Sequence, residues 1–88
     1  MKRIILDGAL MTDRAAAHEH IAGAMDFPAW YGKNLDALWD MLSTFGEAEI
    51  ELRSAPAMLN SLERYGCRLL SCFYEAAEET GRIKFVCK

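Results

Sequence analysis

The chain has 88 residues and a net charge of −3, and 52% of its residues are hydrophobic. This length holds one hydrophobic core, so we expect a single globular domain over residues 1–88. The negative charge argues against direct binding of nucleic acid, which needs a basic surface to displace counterions from phosphates. It permits a basic protein partner or a cationic ligand. No apolar run is long enough to span a membrane.

The chain contains three cysteines, Cys67, Cys72 and Cys87. Because the number is odd and no paired framework is visible, the pattern favours reduced thiols and a cytoplasmic location. Cys67 and Cys72 are five residues apart, which is a poor spacing for one helix face, so a redox pair is the less favoured alternative.

The first 26 residues predict a strand and then a helix. Arg3–Asp7 is a short apolar run that ends at Gly8, as is typical of a buried parallel strand. Thr12 or Asp13 can cap a helix that extends to about Asp26. One face of this helix carries Ala17, His18, Ile21, Ala24 and Met25.

The two histidines of this helix are expected to play different parts. His18 lies on the apolar face, where we expect it at the edge of the core with a local hydrogen bond, whereas His20 is expected to be solvated. Side chains two residues apart on a helix diverge by about 200°, which makes a poor metal site.

The next segment predicts an aromatic loop followed by an acidic helix. Trp30 and Tyr31 lie between Pro28 and Gly32, where we expect a flat aromatic surface and a positive φ at Gly32. Asn34 is a good N-cap for a helix to about Phe45, which Gly46 ends. A helical wheel gives this helix a buried stripe of Leu35, Leu38, Leu42 and Phe45, with Trp39 at its margin. Asp36, Asp40 and Ser43 lie together on a neighbouring face, and Ala37 and Thr44 complete the outside.

The second half predicts a strand, two helices and a closing strand. Glu47–Arg53 alternates polar and apolar residues, which favours a half-exposed strand such as an edge strand. Ser54 can cap a short helix with Pro56 in its first turn, and Gly66 is expected to break that helix from the next, Cys67–Thr80. Gly81 is expected to stop the last helix, and Arg82–Cys87 is expected to form the last strand.

This order of elements predicts an α/β fold. Helical connections between successive strands imply a three-stranded parallel sheet with right-handed crossovers, packed in two layers against about four helices.

The carboxylates are candidates for binding rather than catalysis. Asp36 complements the helix dipole, but Asp40 lies mid-helix and repels Asp36 four residues away. Glu75 is expected on the outer side of the last helix. General acid catalysis needs a carboxyl group with a raised pKa, which an exposed helix face does not provide. Without a catalytic triad, a Gly-rich phosphate loop or a Cys/His cluster, we expect no enzyme, cofactor or metal site. Weak binding of a divalent cation by Asp36, Asp40 and Glu75 is a remaining alternative.

The loop and helix together resemble a known family. Pro28, Trp30–Gly32 and Asn34–Asp40 closely resemble the barstar signature Pro-x-aromatic-Tyr-Gly-x-Asn-Leu-Asp-Ala-Leu-Trp-Asp. The looser resemblance covers the whole chain, including His18 in the first helix and Glu75 before Gly81. It implies a two-layer α/β inhibitor that occludes the active site of a basic, secreted, barnase-type guanyl-preferring ribonuclease in a one-to-one complex and so protects the producing cell.

The resemblance also implies which residues contact the partner. Asp40 matches the principal carboxylate and would occupy an RNA-phosphate position, and Asp36 and Glu75 match further acidic contacts. Trp30, where a Tyr is usual, would stack on the nuclease. The remaining implied positions continue, support or flank this surface: Tyr31, Gly32, Asn34, Leu35, Ala37, Leu38, Trp39, Ser43 and Phe45. The alternative is a protein-interaction module on the same scaffold with a target other than a ribonuclease.

Overall fold

The computed structural model describes all residues from Met1 to Lys88 and contains three strands and four α-helices. The strands are β1 (Lys2–Asp7), β2 (Ala48–Arg53) and β3 (Ile83–Cys87). The helices are α1 (Arg14–Met25), α2 (Leu35–Thr44), α3 (Ala55–Leu62) and α4 (Arg64–Thr80), and a 3-10 turn at Gly8–Leu10 follows β1. The predicted α/β class, with a three-stranded parallel sheet and four helices in two layers, is confirmed.

The sheet has the order β1-β2-β3, and both strand pairs are parallel. Ile4, Ile50 and Phe85 lie side by side across it. The expectation that β2 is an edge strand was therefore wrong. The helices cover one face of the sheet, so polar residues alternate with apolar ones even on the central strand, and alternation alone does not distinguish centre from edge.

The core lies between the sheet and the helices. The strands contribute Leu6, Ile50 and Leu52, and α4 contributes Leu69 and Phe73, all with no more than 1% of their surface exposed. On α1 the buried residues are Ala17, His18, Ile21 and Met25. The predicted core residue Ala24 is exposed, because it lies at the margin of the stripe that those four positions define on a wheel of about 100° per residue.

The connection between α3 and α4 differs from the sequence prediction. Gly66 does not break a helix; it is buried inside α4, and the chain turns at Glu63, which has φ 55° and ψ −123°. A Cβ on Gly66 would lie 2.9 Å from the Met58 sulfur, so the glycine allows α3 and α4 to approach closely. Ser54 stands at the start of α3 as predicted, but its hydroxyl makes no capping bond.

Candidate functional site

A side-chain cap holds the start of α2 against the preceding loop. The Asn34 side-chain oxygen accepts a hydrogen bond from the Ala37 N–H at 2.8 Å, and its amide donates to the Gly32 carbonyl at 3.3 Å. The N-cap prediction is confirmed, as is the end of the helix before Gly46, which has φ 94°. Leu38 and Leu42 are fully buried beneath the helix. The opposite face of α2 is therefore presented on a rigid element.

That face carries carboxylates without cationic partners. Asp36 and Asp40 are exposed on α2, and Glu75 is exposed on α4. The four ion pairs of the chain join Glu51 to Arg3, Arg53 and Lys88, and Lys33 to Glu19. None of them involves Asp36, Asp40 or Glu75, so all three carboxylates are free to meet a cation from outside.

Asp36 and Glu75 meet at an open groove between α2 and α4. The groove has a volume of about 480 Å³, and its lining is Leu35, Asp36, Trp39, Cys67, Arg68, Ser71, Cys72 and Glu75. Burial, and then the nearby charges of Glu75 and Asp36, raise the pKa of the Cys72 thiol to about 11. Glu75 is exposed on α4, as expected from the sequence, and it also flanks this groove because α2 packs beside α4.

A second depression joins the loop to α2. It has a volume of about 340 Å³ and is lined by Trp30, Tyr31, Gly32, Ala37, Asp40, Met41 and Thr44. Trp30 is 78% exposed, so most of its surface lies in solvent at the edge of this depression, which Asp40 also lines. Ala37, expected on the outside of α2, is half-buried here.

Tyr31 does not provide the flat exposed surface that the sequence suggested. Only 5% of it is exposed, and its hydroxyl lies 2.8 Å from Nδ1 of His18. The other ring nitrogen of His18 lies 2.5 Å from the hydroxyl of Tyr65. Burial lowers the pKa of His18 and raises that of Tyr31. This buried cluster ties α1 and α4 to the loop beneath Trp30.

The sequence identified His18 but not Tyr65, because nothing in the pattern of α4 marks that tyrosine as a hydrogen-bond partner of α1.

The expectation that His20 is solvated was wrong: it is half-buried, and its Nε2 accepts a hydrogen bond from the Asp7 N–H at 2.8 Å. The positive φ predicted for Gly32 occurs instead at Lys33, at 54°. A Cβ on Gly32 would lie 3.2 Å from the Ala37 Cβ, so the glycine provides close packing.

Sequence comparison assigns the chain to a family. The family described as Barstar (barnase inhibitor) matches residues 1–88. The chain belongs to the barstar family. A protein of Bacillus subtilis (strain 168) named "Putative ribonuclease inhibitor YrdF" is 33% identical to it over 81 residues, which cover 90% of this chain and 89% of that protein.

The remaining positions that resemble the barstar signature lie at the margins of the carboxylate face. Leu35 and Trp39 are half-buried in the α2–α4 groove. Ser43 is also half-buried, and its hydroxyl donates to the Trp39 carbonyl at 2.7 Å. Phe45 packs edge-on against Phe27 at 6.2 Å between ring centroids, at the far end of α2.

No group of three or more histidine, cysteine, aspartate or glutamate side chains has an arrangement that could hold a metal ion. The alternative of a cation held by Asp36, Asp40 and Glu75 therefore has no support in this barstar-family structure. All three cysteines are free: Cys67 is exposed, Cys72 is buried and Cys87 is half-buried. None of the helices combines the length and the apolar character that a membrane span requires.

Proposed function

We propose that this protein inhibits a basic, secreted, barnase-type ribonuclease that prefers guanyl substrates, by occluding its active site in a one-to-one complex in the cytoplasm of the producing cell. It acts by binding and not by catalysis. The observation that carries the proposal is the set of unpaired, exposed carboxylates Asp36, Asp40 and Glu75, two of them on one rigid helix.

The chemistry of a ribonuclease active site supports this assignment. Such a site binds phosphates and is therefore cationic, and a protein that blocks it should place carboxylates where phosphates bind. Hydrogen bonds between a carboxylate and a guanidinium group are short and roughly twice as strong as neutral ones. Asp40 lies nearest the middle of α2, so we assign it the central phosphate position, with Asp36 and Glu75 beside it at the α2–α4 groove.

Two tryptophans flank these carboxylates. Trp30 and Asp40 line the same depression, and Trp39 lines the groove with Asp36 and Glu75. Aromatic side chains at the centre of an interface supply buried area and exclude water from charged contacts, which strengthens them. We propose that Trp30 stacks on the nuclease and that Trp39 supports the acidic groove.

The comparisons support the same role. The family description names barnase as the inhibited protein, and the printed name of the Bacillus relative names a ribonuclease inhibitor. Leu38 is fully buried and Tyr31 nearly so. We therefore assign these two residues to the support of the surface, and Gly32, Asn34, Leu35, Ala37, Ser43 and Phe45 to its margin.

Titration of a fixed amount of barnase with the protein tests this function. RNA hydrolysis should stop near an equimolar ratio, and Asp40→Ala should need a large excess. Glu49→Ala is the matched control, because Glu49 is also exposed and outside any ion pair but lies on β2. Full inhibition by Asp40→Ala near the equimolar ratio would show that the site assignment is wrong. If the protein binds no ribonuclease, the result would favour the alternative function, a protein-interaction module with another target.

A further inference from the structure

Three cations surround a depression at one end of the acidic face. Arg14, Lys33 and Arg68 line it together with Asn34, Leu35, Asp36 and Tyr65, and its volume is about 380 Å³. Three cations against one carboxylate give this patch a formal charge of +2, in a chain whose net charge is −3. We call Arg14, Lys33 and Arg68 the cationic rim.

Two of these cations stand where the local backbone disfavours them. Arg14 is the first residue of α1, and Lys33 immediately precedes the N-cap of α2. Both positions lie at helix N-termini, where the partial positive charge of the helix repels cations. Lys33 also has a φ of 54°, which a non-glycine residue seldom adopts. Helix formation therefore does not account for either cation.

One cation of the rim, Arg14, is held against an aromatic ring, and two of the three, Arg14 and Arg68, have no ion-pair partner. The Arg14 guanidinium lies 4.4 Å from the centroid of the Tyr65 ring, and the Tyr65 hydroxyl is bonded to the buried His18. Neither Arg14 nor Arg68 forms an ion pair, and Lys33 reaches only the exposed Glu19 at 3.5 Å. An anion from outside the chain would therefore meet a positioned Arg14 and an unpaired Arg68 here.

We propose that the cationic rim receives carboxylate side chains of the ribonuclease partner, at the border of its phosphate-binding cleft. This inference rests on the proposed function. The interface then has two regions of opposite charge. Asp36, Asp40 and Glu75 enter the cationic cleft of the ribonuclease, while the cationic rim contacts acidic side chains at the border of that cleft. Because like charges across an interface are costly, this pattern fixes the orientation and rejects ribonucleases whose border is basic.

A protein carboxylate fits the rim better than an RNA strand does. Asp36 lies in the same depression, and Arg68 also lines the groove that holds Glu75. A polyanion along the rim would be repelled by both carboxylates, whereas separate carboxylate side chains on a folded partner can avoid them.

Sorting a barnase library tests the proposal. Catalytically inactive barnase, with the surface positions around its active-site cleft randomised to Asp, Ser or Lys, is selected for binding to three forms of the chain. These are the wild type, the rim variant R14E/R68E, and the control R64E/K84E, which changes the net charge equally. Arg64 is the first residue of α4, as Arg14 is of α1, and neither Arg64 nor Lys84 lines any depression.

The wild type and R64E/K84E should enrich Asp over Lys at least tenfold at one cluster of neighbouring barnase positions, and R14E/R68E should enrich Lys there. The same preference in all three sorts would overturn the proposal. So would a labelled single-stranded RNA that binds the wild type but not R14E/R68E. Failure of the proposed function is distinguishable, because then no library member would bind the wild type, or binding would survive Asp40→Ala.

Discussion

Two regions of this molecule treat carboxylates in opposite ways. On the face of the sheet away from the helices, Glu51 is 9% exposed and is surrounded by Arg3, Arg53 and Lys88. On α2, Asp36 and Asp40 are exposed, have no cationic partner and repel each other at i,i+4 spacing. The difference separates a carboxylate that stabilises the fold from carboxylates whose cationic partners would have to come from another molecule.

Removal of the Asp40 carboxylate should have the largest effect of the changes that test this difference. We expect Asp40→Ala to weaken binding to barnase by more than about 2 kcal/mol, the lower bound for a residue that dominates the binding energy of an interface. The free energy of unfolding should rise by about 0.5 kcal/mol, because alanine is the better helix former and the repulsion of Asp36 disappears. Calorimetric titration and urea unfolding measure the two quantities. A loss of stability comparable to the loss of binding would mean that Asp40 is structural.

The next largest effect concerns the buried cluster beneath the aromatic loop. His18→Phe should lower the free energy of unfolding by about 1–3 kcal/mol, because it leaves the hydroxyls of Tyr31 and Tyr65 without their partner. Tyr65→Phe removes only one of these bonds and should cost less. Equal stability of His18→Phe and the wild type in urea unfolding would contradict the assigned bonds.

The same histidine predicts a pH dependence. Burial lowers the pKa of His18, so the unfolded chain binds its proton more readily than the folded chain does. The contribution of His18 to stability should therefore be complete above pH about 6.5 and should be lost as the pH falls from there towards the lowered pKa. The stability of His18→Phe should not fall in this way over the same pH range. Urea unfolding of the wild type and of His18→Phe between about pH 4 and pH 8, which spans the range in which histidines titrate, measures the difference.

Removal of the charge of Glu51, the carboxylate with ion-pair partners, should affect stability and not binding, which is the reverse of the result expected for Asp40. The effect should be smaller. Glu51→Gln should lower the melting temperature and leave inhibition of barnase unchanged. The hydrogen bond from Arg53 is the main cause of the lowered pKa of Glu51. Its contribution should therefore be present above the ordinary glutamate pKa and be lost as the pH falls through the lowered value. Weakened inhibition with an unchanged melting temperature would contradict a structural role.

The smallest effect is kinetic. Association with barnase should slow by about tenfold as salt rises from low to high concentration, because exposed charges are screened. Asp36→Ala should reduce this salt dependence, and Glu49→Ala, on the sheet, should leave it unchanged. Stopped-flow association rates measure the difference, and a rate that does not depend on salt would exclude electrostatic steering.

The sequence predicted features that depend on local chemistry. Asn34 as a cap and Gly46 and Gly81 as helix ends follow from hydrogen bonding and backbone freedom near those residues, and all three are confirmed. The helical connections likewise implied the parallel sheet. His18 was placed correctly because its helical spacing put it on the apolar face.

The features that were missed depend on which elements become neighbours. Glu75 faces a groove because α2 packs on that flank of α4, and Gly66 is buried because α3 crosses it. Tyr31 points into the core because its hydroxyl forms a hydrogen bond with the buried His18. Periodicity within one element contains none of this information, so the candidate carboxylates could be named from the sequence, but the groove and the cationic rim could not.

Competition with a nucleotide tests the central claim most directly. If the carboxylates of α2 occupy the phosphate-binding site of the ribonuclease, then guanosine 3′-monophosphate and this protein cannot bind barnase together. The apparent Kd of the complex should rise in proportion to the nucleotide concentration once that concentration exceeds the nucleotide's own Kd. An apparent Kd that stays constant at saturating nucleotide would contradict occlusion of the active site.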